Sequence, residues 1–171
     1  AIIIKQDGFE ADDIIAALVN HFAPAKNPIL IHSNDADFLA LTNDLVTVTD
    51  RTKKLAHVPA HEVRLYKSLV GDSSDNISGI EKLGNSYWEK LSQVDKQQWE
   101  AVLTEQIDEF PLTAITEAKH KWITENMSLL RTFYKIVGFM PVDLEAVMAN
   151  AVISTYDPIK YHETMTKYMW M

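Results

Sequence analysis

The chain has 171 residues, 47% of them hydrophobic, which is enough to bury one sizeable core. It contains no cysteine, which excludes disulfides, thiolate metal sites and a cysteine nucleophile and is typical of a reducing compartment. The net charge of −8 argues against nucleic acid as a partner, unless many of the 24 acidic residues converge on divalent cations that invert the local field.

The first seventy residues alternate short apolar runs, which are typical of strands, with amphipathic segments, which are typical of helices. The predicted strands are residues 2–4, 29–31 and 46–49, and the predicted helices are residues 14–22, 38–41 and 59–69. Strand, helix and strand in this order predict an α/β fold with a parallel sheet and flanking helices. Ala1 stands directly before the first strand, so we expect the chain to be cut from a longer protein.

From Gly71 onward the pattern is helical, so we predict an α/β domain at residues 1–70 and a helical region at residues 71–171. The predicted helices are residues 86–91, 98–106, 113–123 and 144–153, with a last one through Tyr161 and Met165. No apolar run reaches the roughly 18 residues of a membrane span, and the apolar start is too short for a signal peptide. We therefore expect a cytoplasmic protein without membrane attachment.

The first of three acidic motifs places Glu10, Asp12 and Asp13 in the first turn of the first predicted helix. The helix dipole favours negative charge at that end. Taken alone, this motif is better explained as an ordinary acidic helix start than as a binding site.

The second motif is Asp35 and Asp37, which directly follow the predicted strand at residues 29–31. At a spacing of two residues the side chains project to the same side, at the carboxyl end of a strand. Open parallel sheets place their ligand sites at that edge, so a cation explains the pair better than solvation does. A helix N-cap made by Asp35 is the alternative, and the two are compatible.

The third motif is the turn sequence Gly-Asp-Ser-Ser-Asp-Asn at residues 71–76, with Asp72 and Asp75 three positions apart. On one helical turn these carboxylates face the same way. Turn and capping chemistry explains the motif equally well when it is taken alone.

The order and spacing of the three motifs together resemble the 5′ nuclease family of 5′-3′ exonucleases and flap endonucleases, and particularly its T-even phage ribonuclease H branch. An E-A-D-D helix, a D-x-D strand end and a G-D-S-S-D-N turn stand before a glycine-containing hairpin. The resemblance covers residues 8–91 and implies a PIN-like nuclease core that is incomplete, because the family's N-terminal half is absent from this chain.

The resemblance implies two ions, Mg²⁺ or Mn²⁺, which hydrolyse a phosphodiester without a covalent enzyme intermediate. The implied metal ligands are Glu10, Asp12 and Asp13 for the first ion, Asp35 between the ions, and Asp37, Asp72 and Asp75 for the second. The implied catalytic residues among them are Glu10, Asp12, Asp35 and Asp37.

The segment after the third motif resembles the family's helix-hairpin-helix, which binds DNA phosphates through backbone N–H groups without reading bases. The implied DNA-binding residues are Gly79, Ile80, Lys82, Gly84, Asn85 and Ser86, and K⁺ is a candidate ion at this hairpin. The family usually has Pro in place of Ser78 and Gly in place of Lys82. A plain helix-turn-helix corner is the alternative.

The function implied by the resemblance is removal of RNA primers or flaps from flapped, nicked or RNA-primed DNA in replication. The compartment would be the host cytoplasm if the protein is phage-encoded, and activity would require an N-terminal nuclease half, which a separate chain could supply. Two alternatives stay open. One is a non-catalytic DNA-binding fragment or subunit of a split nuclease, and the other is a toprim-like phosphotransfer domain, which does not predict the G-D-S-S-D-N turn and hairpin.

Overall fold

The structure is a computed structural model that describes residues 2–4, 6–49, 55, 57–81, 83–149 and 151–153. The chain forms two compact units, one of residues 1–18 with residues 140–171 and one of residues 19–139. The predicted boundary at residue 70 lies inside the second unit and stays a prediction of the sequence. The predicted helix through Tyr161 and Met165 lies outside the described residues.

The described residues contain four strands, which are β1 (Ile2–Ile3), β2 (Ile29–Ile31), β3 (Val46–Val48) and β4 (Val152–Ile153). The α-helices are α1 (Ala11–Phe22), α2 (Val63–Val70), α3 (Gly84–Trp88), α4 (Gln93–Leu103), α5 (Glu117–Glu125), α6 (Met127–Ile136) and α7 (Leu144–Ala149). Short 3-10 helices cover Ala23–Ala25, Ala36–Leu41 and Ala60–Glu62. None of the described helices is both long and apolar enough to cross a bilayer.

Most predicted elements are confirmed with shifted ends, but the segment at residues 144–153 is not one helix. Its helical part, α7, ends at Ala149, and Val152–Ile153 forms β4. The two residues of β4 are β-branched, which favours extended backbone once a partner strand is available. That partner is β1, in an antiparallel pair with Ile2 opposite Ile153.

The parallel sheet in the described residues consists of β2 and β3, with Ile29 opposite Val46 and Ile31 opposite Val48. The predicted membership of β1 in this sheet is wrong, because β1 pairs with β4 in the first unit. An apolar run predicts that a strand forms, but its partner depends on residues far away in the chain.

The core of the second unit is helical, with α2 packed against α3, α4 and α6. Leu69 of α2 and Trp99 of α4 are completely buried, and the Trp99 indole donates a hydrogen bond of 2.8 Å to the Tyr87 hydroxyl. Burial of these large side chains is the main favourable contribution to folding. The packing fixes α2, whose carboxyl end leads into the third acidic motif.

Candidate metal centre

Three carboxylates from two separate sequence motifs come together in the second unit. Asp37, Asp72 and Asp75 each offer one oxygen, and these oxygens lie within 4.8 Å of one another. Asp37 lies on the 3-10 helix Ala36–Leu41, which connects β2 to β3, whereas Asp72 and Asp75 follow α2. We call these three residues the carboxylate cluster.

Asp35 is the N-cap of the 3-10 helix that carries Asp37. Its Oδ1 accepts a hydrogen bond of 3.0 Å from the backbone N–H of Asp37, and its own N–H donates to Ser33 Oγ at 3.1 Å. The predicted cap is therefore confirmed, and a metal-binding role for Asp35 stays a prediction. Asp35 also borders the same cavity as Asp72, so the cap lies beside the cluster and sets the position of Asp37.

Turn geometry fixes the position of Asp72. Its Oδ1 accepts hydrogen bonds from the backbone N–H of Ser74, at 2.9 Å, and from the Ser74 hydroxyl. Its backbone N–H and C=O pair with those of Ile77, both at 2.8 Å. The turn includes Asn76 at a φ of 56°, a left-handed conformation that asparagine tolerates better than most residues. The side chains remain reachable, 15% exposed for Asp72 and 40% for Asp75.

Two glycines hold this turn against the end of α2. A Cβ at Gly79 would lie 2.6 Å from Gly71 N, and a Cβ at Gly71 would lie 2.8 Å from Ile77 O. Both glycines have positive φ, 63° at Gly79 and 104° at Gly71. Because only glycine fits such an approach, Gly79 has a clear packing role in holding the carboxylate turn, beside its predicted role in DNA binding.

The cation at the centre of the cluster is Lys67, a residue that the sequence analysis did not select. Its ammonium contacts Asp37 Oδ1 and lies 2.5 Å from Asp72 Oδ2 and 3.7 Å from Asp75 Oδ2. The Lys67 side chain is only 4% exposed. The sequence contained a pattern that could have identified Lys67. It follows the buried Val63 by four positions, so it lies on the buried face of the helix, where a lysine requires carboxylate partners.

The charge state of Asp72 follows from its partners. Burial by itself would raise the pKa of this carboxyl, but hydrogen bonds from Lys67 and Ser74, with the charge of Lys67, hold the pKa below its usual value. Asp72 is therefore ionised at neutral pH and able to bind a cation.

The donor set fits a hard divalent cation. Asp37 Oδ1 is a buried oxygen, and the Lys67 ammonium lies directly against it. An all-oxygen set of carboxylates favours Mg²⁺ or Mn²⁺ over metals that prefer sulfur. A cavity of about 420 Å³ adjoins the cluster, and Leu55 and Tyr66 form an apolar wall that the sequence did not predict.

The predicted ligands of the first ion lie in the first unit. Glu10 is exposed, Asp12 is half-buried and Asp13 is buried. Asp13 accepts backbone hydrogen bonds at both oxygens, from Met140 N–H at 2.7 Å and from Glu10 N–H at 3.3 Å. These bonds favour a structural role for Asp13, and metal binding by the three residues stays a prediction.

Some residues of the predicted DNA-binding hairpin are buried, and others are exposed to solvent. Ile80 is buried and its N–H donates to Leu69 O at 2.8 Å, so this group has an internal partner. Gly84 begins α3, and Asn85 and Ser86 are exposed on that helix. Lys82 lies outside the described residues. DNA binding by this hairpin stays a prediction.

Asn85 connects the hairpin to the wall of the cavity. Its Oδ1 accepts a hydrogen bond of 3.3 Å from the Tyr66 hydroxyl, and its Nδ2 donates to Glu89 Oε1 at 3.1 Å. Tyr66 precedes Lys67 on α2. The hairpin and the cluster therefore both contact side chains of α2.

Comparisons with known proteins point to one family. The model of the family described as 5′-3′ exonuclease, N-terminal resolvase-like domain, matches residues 1–67. The chain is 38% identical over 106 residues to DNA polymerase I of Caldicellulosiruptor bescii, covering 52% of this chain and 12% of that protein. It is 34% identical over 98 residues to the 5′-3′ exonuclease of Mycoplasma genitalium, covering 48% and 34%. The matches thus span about a third or less of these relatives.

A solved structure supports the fold. The T5 D15 protein, co-crystallised with metal ions, matches with a TM-score of 0.59 and 20% identity, covering 85% of this chain and 55% of that chain. At this identity the similarity concerns the fold alone, and it confirms the predicted PIN-like α/β class. The profile match over residues 1–67 and the sequence relatives, each aligned over about half of this chain, support the 5′-3′ exonuclease family for it.

Proposed function

We propose that this chain binds a divalent metal ion as part of a 5′-3′ exonuclease or flap endonuclease that acts on branched or RNA-primed DNA. The observation that carries the proposal is the convergence of Asp37, Asp72 and Asp75 on one point. Lys67 supplies one positive charge against these three carboxylates, so the cluster keeps an excess of negative charge, and its oxygens suit Mg²⁺ or Mn²⁺.

The chain's own residues prepare the metal ligands for binding. Asp35 caps the helix that carries Asp37, and Ser74 orients one oxygen of Asp72 so that the other faces the cluster. In two-metal hydrolysis, ions about 4 Å apart activate a water molecule and stabilise the phosphate during in-line displacement. Ligands held in advance reduce the cost of organising such a site.

The other ion of a complete site requires further ligands, and Glu10 and Asp12 are the candidates that the sequence offers. For the substrate we propose duplex DNA carrying a flap, a nick or an RNA primer. Contacts through the backbone of residues 79–86 would make binding independent of base sequence, since phosphates carry no sequence information. An N-terminal nuclease part, on the same chain or another, would complete the active enzyme.

Calorimetry with Mn²⁺ on the 171-residue chain tests the metal site. We expect one site, which Asp72→Asn and Asp75→Asn each weaken by about tenfold or more, because each removes a charged ligand. Asp108→Asn is the matched control, since that carboxylate is fully exposed and remote from the cluster in sequence. Absence of Mn²⁺ binding by the unmodified chain, or equal weakening by the control, would contradict the proposal.

A cleavage assay on a 5′-flap duplex tests how much of the enzyme this chain supplies. We expect little cleavage with Mg²⁺, because two-metal hydrolysis needs both ions at a fixed separation and the three carboxylates of the cluster supply ligands for one. Strong cleavage that Asp37→Ala abolishes would show that the chain builds the whole site. Metal binding without cleavage under any complementation would favour the non-catalytic alternative.

A further inference from the structure

We infer that Lys67 is an internal counter-cation, which a divalent ion must displace from the carboxylate cluster before it can bind. The inference rests on the proposed metal site and adds a cation exchange to it. Its consequence is that metal affinity depends on a residue that is not a ligand.

The geometry places the ammonium where the ion would lie. Lys67 Nζ contacts Asp37 Oδ1, lies 2.5 Å from Asp72 Oδ2 and approaches Asp75 Oδ2 to 3.7 Å. The same three side chains provide the oxygens that lie within 4.8 Å of one another. An ion such as Mg²⁺ requires oxygens at about 2.1 Å in near-octahedral geometry, so it cannot occupy the point among these oxygens while the ammonium fills it.

Steric exclusion, more than net charge, decides the exchange. Three carboxylates outnumber one ammonium, so charge balance would allow Lys67 to stay near a bound ion. The ammonium is, however, shielded from solvent, since the Lys67 side chain is only 4% exposed. It contacts the same carboxylate oxygens that a metal ion would bind. Repulsion between the two cations at such short range also favours withdrawal of the ammonium.

The structure provides space for the displaced group. Lys67 lines the cavity of about 420 Å³ that adjoins the cluster, and Asp35 and Asp75 line it too. A lysine side chain has four rotatable bonds, so its ammonium can move into that space without movement of α2. Asp35 lines the same cavity, so the withdrawn ammonium would still face a carboxylate, which limits the free-energy cost of its withdrawal.

A second shielded lysine shows what an ordinary structural ion pair looks like in this chain. Lys96 Nζ lies 2.7 Å from Glu62 Oε2 and 4.2 Å from the centre of the Trp88 ring. Glu62 also accepts a hydrogen bond of 2.8 Å from Gln93. Within the part of the chain that the structure describes, Lys96 thus has one carboxylate partner and an aromatic neighbour, whereas Lys67 has three carboxylates that a metal ion could take. Lys96 is therefore a matched control.

The first test is Mn²⁺ titration of Lys67→Met, which keeps most of the aliphatic length and removes the charge. We expect Mn²⁺ to bind at least about tenfold more tightly than to the unmodified chain, or about 1.4 kcal/mol. In EDTA the variant should unfold at a lower temperature, since its carboxylates lack a counter-ion, and Mn²⁺ should reverse this loss. Lys96→Met should leave the Mn²⁺ affinity unchanged. Unchanged or weaker binding by Lys67→Met would overturn the inference.

The second test uses the unmodified chain, so it does not depend on the folding of a variant. Lysines are acetylated under limiting reagent and quantified by mass spectrometry, in EDTA and in saturating Mg²⁺. We expect Lys67 to be protected in EDTA and to react several-fold faster with Mg²⁺, with Lys96 unaffected. Equal protection of Lys67 in both conditions would overturn the proposed cation exchange but would not contradict the proposed metal site. Absence of metal binding in both Lys67→Met and the unmodified chain overturns the proposed function as well.

Discussion

A β-carbon at Gly79 would lie 2.6 Å from Gly71 N, from Leu69 O and from Val70 C. Backbone atoms cannot retreat as a flexible side chain can, so the hydrogen of glycine is what allows the turn with Asp72 to close on α2. The ligand positions therefore depend on a residue that is not itself a ligand.

Gly79→Ala should lower the free energy of unfolding by about 2–3 kcal/mol, because it adds a clash to an unfavourable φ. Urea unfolding measures this loss. Gly84→Ala is the control, since Gly84 also has positive φ but an added Cβ there would have no neighbouring atom within 4 Å among the described residues. It should cost only about 1 kcal/mol, and equal losses in the two variants would show that the close approach has no special importance.

The lowered pKa of Glu62 predicts that the stability of the chain depends on pH. Burial by itself would raise the pKa of this carboxyl, but hydrogen bonds from Lys96 and Gln93 and the charges of Lys96 and His61 hold it below its ordinary value of 4.5. A lowered folded-state pKa contributes stability that is present above the unfolded-state pKa and is lost as pH falls through the folded-state pKa.

Glu62→Gln should therefore destabilise the chain at neutral pH, by about 1–3 kcal/mol, and the difference from the unmodified chain should shrink in acid. Urea unfolding of both proteins between about pH 7 and about pH 3 measures it. A difference that stays constant over this interval would show that the charge of Glu62 contributes nothing.

At the scale of elements, α4 begins where a reciprocal capping box satisfies its first N–H groups. Ser92 Oγ accepts a hydrogen bond of 3.2 Å from Asp95 N–H, and Asp95 Oδ2 accepts one of 2.9 Å from Ser92 N–H. Hydrogen bonds from Ser92 lower the pKa of Asp95 and outweigh the opposing effect of burial. The box fixes the start of the helix that carries Trp99 into the core.

Ser92→Ala should lower the free energy of unfolding by about 1 kcal/mol, because an orphan N–H at the start of α4 loses its acceptor. Thermal unfolding measures the effect. Ser128→Ala, at an exposed position of α6, is the control and should change stability by less than about 0.5 kcal/mol. A loss at Ser128 as large as that at Ser92 would contradict the capping argument.

An element or a site residue could be predicted from the sequence where its position depends on residues close to it in the chain. Apolar spacing located β2, β3 and α2, and the acidic motifs located Asp37, Asp72 and Asp75, because each pattern lies within a few residues. The pairing of β1 with β4 was missed, since it joins residues from opposite parts of the sequence. The position of Lys67 at the cluster was missed because it depends on how α2 packs beside the 3-10 helix at residues 36–41.

At the scale of the whole molecule, the net charge of −8 sets the conditions for DNA binding. An acidic chain repels phosphate, and bound divalent ions reverse that field locally. We therefore expect weak binding of a duplex in EDTA and tighter binding in Mg²⁺, with affinity falling as salt rises.

Fluorescence anisotropy with two unrelated duplexes of equal length tests this expectation. Because the predicted contacts are to phosphates, the two affinities should agree within about tenfold. A stronger preference for one sequence would require contacts to base edges and would rule out a purely phosphate-based interface. Equal binding with and without Mg²⁺ would show that the metal plays no part in attraction.

The pairing of β1 with β4 also has a consequence for the order in which the chain folds. Ile3 and Val152 must meet across nearly the whole described sequence, and closing so long a loop costs conformational entropy before the pair contributes anything. Residues 19–139 form a compact unit of their own, so their many shorter-range contacts can form before the two strands meet. Folding should therefore proceed from the middle of the chain outward, with this two-residue ladder forming last and opening first.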